Sequence, residues 1–250
     1  MRGLYMAEAA MLVQQARMSL VGNNLVNLQT TGFKRDEAVQ SSFAELMIYR
    51  RPSGAPLPPA AAVGTMAHSV AVQQTYTSFT DGPLQFTGRP LDLAVTGRSF
   101  FQVQTEEGFL YTRNGRFFTD AAGFLVTAEG HRVWGENGAL FLGSAQAAFQ
   151  PDGSVYAGES YLGRIGMFTI PAEAVLVKTG DSYFRLEQGS AFIDEGGQLW
   201  PGYLEGSNTD LAREMAAMIQ VRRSYEAAQK AMITYDSMLQ KAANDLAVLG

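Results

Sequence analysis

A chain of 250 residues can bury a core of its own, and its lack of cysteine excludes both a disulfide framework and thiolate zinc sites. Its 19 basic and 24 acidic residues give a formal net charge of -5, and charged residues make up 17% of the chain against ~25% in a typical soluble domain. That balance leaves no electrostatic footprint for nucleic acid or an anionic membrane surface, so the expected partners are proteins. No run approaches the ~18 consecutive apolar residues of a spanning helix, so membrane insertion is not expected. Glu8, Gln14, Gln15 and Arg17 interrupt any apolar stretch after Arg2, which argues against a cleaved signal peptide.

The first predicted helix runs from about Leu4 to Leu28. Leu4, Met11, Met18 and Leu25 recur every seventh residue, with Ala7, Gln14, Val21 and Leu28 as a second stripe. Thr30-Thr31-Gly32 ends it, with Gly32 able to take the left-handed conformation at the helix C-terminus. Residues 36–80 lose heptad order, and the proline-rich run Pro52–Pro59 suits neither a helix nor a central strand, so the segment reads as a linker or an extended arm.

From Asp81 to about Tyr203 the chain consists of short β-branched and aromatic runs. Leu91–Val95, Ser99–Val103, Phe109–Arg113, Phe124–Val126, Ala139–Leu142, Ile165–Ile170 and Tyr183–Leu186 are predicted strands. Asp81-Gly82, Asn114-Gly115, Asn137-Gly138 and Pro151-Asp152-Gly153 are predicted turns, because Asn, Asp and Gly tolerate positive φ. The last helix opens at 206–210, with Ser207 as candidate cap. Its stripe is Leu211, Met218, Tyr225, Met232, Leu239 and Leu246, accompanied by Glu214, Val221, Ala228, Tyr235, Ala242 and Leu249. Such a helix is about 58 Å long at 1.5 Å per residue, too long to be covered by one small β-domain.

The expected fold class is therefore α+β: a central all-β domain flanked by terminal helices that pair as a coiled coil. The expected divisions are an assembly helix with signature at 1–35, an extended arm at 36–80, the β-domain at 81–205 and the C-terminal helix at 206–250. Catalytic signatures such as a phosphate-binding loop, His-Glu-x-x-His or a nucleophile elbow are missing from the sequence. His68 and His131 lie far apart, and Glu106-Glu107 and Asp194-Glu195 sit beside glycine as charged hairpin tips do. No catalytic residue, metal site, cofactor or small-molecule substrate is expected.

Four strings carry a resemblance. Asn23-Asn24-Leu25-Val26-Asn27-Leu28-Gln29-Thr30-Thr31-Gly32-Phe33-Lys34-Arg35 resembles the N-terminal signature of the bacterial flagellar rod and hook axial proteins, carried by Asn23, Asn24, Asn27, Thr31, Gly32 and Phe33. Gly82–Val95 followed by Phe100–Val103, Tyr111–Gly115 with Gly123–Thr127, and Gly202–Asn208 resemble the same family's β-domain and the approach to its last helix. The resemblance implies a non-enzymatic subunit of the flagellar basal-body rod, exported by the flagellar type III apparatus. Such a subunit polymerises with itself and other rod and hook subunits beyond the inner membrane, in the periplasm or cell-wall space, as a helical torque-transmitting tube. The distal rod type is slightly favoured over the proximal, although Pro52–Pro59 departs from the distal pattern. A hook-type subunit and a secreted β-domain binding module are the alternatives.

Overall fold

The computed structural model describes residues 2–248, apart from 43–44, 51–60, 68–69, 144–146, 172, 181 and 195. The chain forms two units, one of Met1–Leu25, Asp36–Thr77 and Leu211–Gly250 and one of Val26–Arg35 and Ser78–Asp210. Val26–Arg35, grouped on sequence with the N-terminal helix, thus counts with the β-rich unit.

In the first unit, α1 (Arg2–Val26) and α2 (Leu211–Val248) lie antiparallel, because Gly3 meets the Tyr235 ring and Gly22 meets the Met218 methyl group. A Cβ on Gly3 would fall 2.5 Å from Tyr235 Cζ, so a side chain at this position would have to push the tyrosine ring aside. α1 stops two residues earlier than its heptads suggest and passes into a 3-10 turn at Asn27–Gln29.

The arm expected over 36–80 is an antiparallel ribbon where it is described. β1 (Asp36–Ser42) pairs with β4 (Val70–Thr77), and β2 (Glu45–Arg50) pairs with β3 (Ala61–Ala67). Thr75, Tyr76 and Thr77 in β4 supply β-branched and aromatic character that sustains a ladder. Asn24 starts the ribbon: its Oδ1 accepts from Asp36 N–H and its Nδ2 donates to Asp36 C=O, both at 3.0 Å, as a strand partner would. Pro52–Pro59 lies outside the described residues.

In the second unit every described strand pair is antiparallel, as an all-β domain requires. After β5 (Leu84–Phe86) and β6 (Leu93–Val95), the centre is β7 (Ser99–Thr105). It pairs with β8 (Gly108–Thr112) on one edge and with Arg132–Gly135 and Met167–Thr169 on the other. Its side chains alternate between two cores. Phe101 and Val103 join Leu93, Phe117, Leu125, Ile165 and Leu199, whereas Phe100 joins Phe168 and Phe184. Phe79, Phe100 and Phe184 pack edge to face with centroids 5.3 to 6.0 Å apart, the geometry aromatic quadrupoles favour.

Several strands are shorter than expected, and the longest closures are non-local: β5 pairs with Tyr203–Glu205 and β6 with Leu199–Pro201. The Glu106-Glu107 pair lies in the β7–β8 turn, where Glu107 meets Arg185 at 2.7 Å on the surface. Asp194 is a structural acceptor. Burial pushes its carboxyl up, but hydrogen bonds from Ser99, Thr169 and the Gly196 and Gly197 amides outweigh that and hold it below the usual aspartate range. A carboxyl with a depressed folded pKa stabilises above its unfolded pKa, and that stability is lost as pH falls through the folded value. Asp194→Asn should therefore lower the urea midpoint at neutral pH, with the gap to wild type closing below about pH 4.

Candidate assembly surface and signature cluster

The apolar stripes meet along part of their length. On α2, Glu214 and Val221 are buried, Val221 to 1% exposure, and Met218, Tyr225, Ala228 and Met232 are half-buried. On α1, Leu4, Met11, Met18 and Leu25 are all half-buried, with Ala7 buried between them. Val13, which lies on neither stripe, is buried too.

Tyr235, packed on Gly3, is the last stripe residue that α1 reaches, and beyond it the stripe is bare. α2 has 38 residues against 25 in α1, an excess of about 20 Å at 1.5 Å per residue. Tyr235 and Leu239 are each 45% exposed and Met238 60%. The side chain of Leu246 lies outside the described residues. Leu211 is exposed at the opposite end, as are Tyr5 and Leu12, seven apart on α1, and Met215, Ile219 and Ile233 on α2. An amphipathic helix gains its stability from a covering surface, so these side chains form an apolar face that the single chain leaves unburied.

The family-signature residues divide between two tasks. Asn24 holds Asp36 in the first unit, while Asn23 is exposed. In the second unit, Asn27 Oδ1 accepts from Thr30 Oγ1 at 3.1 Å, Thr31 is half-buried, and Gly32 and Phe33 are buried. Gly32 has φ +67°, but it stands six residues beyond the helix and does not cap it. Its left-handed turn presses against the Arg113–Asn114 backbone so closely that a Cβ would lie 2.4 Å from Arg113 C. Ser207 likewise precedes the helix: α2 begins at Leu211, and the Ser207 hydroxyl accepts from Thr209 N–H within the approach turn.

Residues from all four signature strings converge in the second unit. Lys34 is fully buried, and its Nζ donates to Glu205 Oε1 at 2.6 Å and to Thr80 C=O at 2.7 Å. Arg113, also fully buried, donates from Nη1 to Glu205 Oε2 at 3.3 Å, Asp81 Oδ1 at 3.4 Å and Val95 C=O at 3.3 Å. Its Nη2 donates to Gly97 C=O, and its guanidinium lies 4.6 Å from the centroid of Phe100. Gly82 N–H completes the Glu205 carboxylate at 2.9 Å. Asn208 accepts from Arg35 N–H at 2.8 Å and donates to Ser78 C=O at 2.8 Å.

Burial pushes the Lys34 ammonium below its ordinary value, and the adjacent Glu205 carboxylate offsets part of that shift. Buried charges persist where they are paired and hydrogen-bonded, as these are. Sequence reading passed over Lys34, Arg113 and Glu205 as members of strings. Their shared signal was a glycine within two residues, Gly32, Gly115 and Gly206.

A β-rich unit flanked in sequence by paired terminal helices, one of which carries an uncovered apolar stripe, is the architecture of a structural subunit. Comparison with known proteins agrees. A family profile described as "Flagellar hook protein FlgE/F/G D1 domain" matches residues 94–174, and one described as "Flagellar basal body rod FlgEFG protein C-terminal" matches residues 201–246. The flagellar basal-body rod protein FlgG of Bacillus subtilis is 31% identical over 264 residues, covering 98% of each chain. FlgG of Buchnera aphidicola from Acyrthosiphon pisum is 32% identical, covering 95% of this chain and 97% of its own. FlgF of Caulobacter vibrioides is 32% identical, covering 92% of this chain and 91% of its own. The chain belongs to the FlgG/FlgF family of flagellar basal-body rod proteins and is a structural, non-enzymatic rod subunit.

Proposed function

We propose that this subunit builds the distal part of the rod, that it is exported by the flagellar type III apparatus, and that it polymerises beyond the inner membrane with copies of itself and with other rod and hook subunits. The observation that carries the reading is the bare apolar end of α2, Met238 and Leu239, which stay exposed beyond the Tyr235–Gly3 contact. Heterologous packing of such stripes gives an open helical tube when the rotation between subunits does not close a ring, and a packed seam transmits torque. The distal position rests on relatives named FlgG that match over nearly their whole length, against a FlgF match of somewhat smaller span.

Replacing Leu4, Met11 and Met18 together with serine tests the pairing of the ends. Each change removes apolar burial worth up to roughly 1.5 to 3 kcal/mol while preserving length and the polar face. The triple variant should be exported yet be missing from purified basal bodies, since an unfolded export substrate needs no packed seam. Its incorporation at wild-type levels would contradict the pairing, and its retention in the cytoplasm would contradict the separation of export from packing.

A further inference from the structure

We propose that Val26–Arg35 is a strap closing over the β-rich unit, with Glu205 as its latch, so that the strap and the segments Ser78–Gly82 and Tyr203–Asn208 open and shut in one step. The strap contributes no strand to the β7 sheet. Its backbone-to-backbone bonds to the rest of the unit run to Ser78, Glu205 and Asn208, none of them in that sheet, so it can leave without breaking the β7 ladder. Two of its bonds meet at one residue, Glu205. Gly32 N–H donates to Glu205 C=O at 2.8 Å, and Lys34 Nζ donates to the Glu205 carboxylate.

The same carboxylate holds Gly82 N–H and Arg113, while Ser78 N–H donates to Arg35 C=O at 2.9 Å and Asn208 bridges Arg35 to Ser78. Lifting the strap withdraws the Lys34 ammonium and uncovers Phe33, and a buried carboxylate short of one counter-charge draws water and loosens its remaining partners. Above the strap, Lys178 Nζ lies 3.8 Å from the Phe33 centroid and donates to Lys34 C=O at 2.9 Å, adding a surface hold. Lys34 and Glu205 are 171 positions apart, so the latch forms only once nearly the whole chain is available.

Native-state hydrogen exchange on the full chain tests this, comparing wild type with Lys34→Met. The Gly32 amide on Glu205 C=O, the Gly82 amide on its carboxylate and the Gly206 amide on Pro83 C=O are the reporters. In the variant all three should exchange ~100-fold faster or more and by a common factor, while β7 amides keep wild-type rates. Acceleration at Gly32 alone overturns the joint latch. Equal acceleration throughout β7 also overturns it, by making the strap inseparable from the core. If Lys34→Met does not fold, wild type in sub-denaturing urea decides the matter: the three amides must merge into one exchange isotherm below that of β7, and separate isotherms refute the proposal.

Discussion

Val221→Asp should abolish swimming and leave no rods, while the β-rich unit keeps its fold. Val221 is 1% exposed in the α1–α2 seam, so an aspartate there is desolvated among apolar neighbours, costing about 3 kcal/mol or more. Tyr225→Asp and Met232→Asp act in the same direction at half-buried positions. Lys230, on the exposed face of the same helix, is the control, and Lys230→Asp should stay within ~0.5 kcal/mol of wild type. Motility assays together with circular dichroism of the purified variants separate a seam defect from global unfolding. Normal swimming by Val221→Asp would remove the seam from the account.

Gly32→Ala should destabilise the second unit by about 3 kcal/mol or more, because two independent costs coincide. The residue holds φ +67°, which an L side chain tolerates poorly, and the new methyl would collide with Arg113 backbone at 2.4 Å, which has no flexible end to move aside. The backbone shift that relieves the clash also displaces Lys34 from Glu205. Urea denaturation read by tryptophan fluorescence, with Trp134 and Trp200 both in the β-rich unit, measures the loss. A midpoint equal to wild type would show that the Gly32 turn is not held against Arg113.

Periodicity made the helices legible. Leu4 to Leu25 and Leu211 to Leu239 stand seven apart because a helix repeats its face, and that signal survives without tertiary context. The longer strands β7 and β8 were legible for the same reason, with β-branched and aromatic runs ending at turn residues. Leu84–Phe86 and Leu199–Pro201 were not, because three residues carry no period and each pairs with a partner about a hundred positions away. The ribbon over 36–77 was masked by its setting around a proline-rich run, which drew the whole segment toward a linker.

The cluster of Lys34, Arg113 and Glu205 was hidden for a different reason. Charged side chains are read as surface unless a partner is visible, and these partners are brought together only by the folded chain. Where the α2 stripe loses its cover was equally invisible, since the heptads continue past Tyr235 without a change in sequence texture.

The bare end of that stripe is also where the account is most directly exposed to test. The chain has no cysteine, so Leu239→Cys places a single thiol at a position 45% exposed in the monomer. Its reaction with a maleimide should be fast in the purified monomer and at least ~10-fold slower in intact basal bodies, where a neighbouring subunit covers the stripe. Equal labelling in the two states, with the protein present in the rod, would contradict assembly through α2.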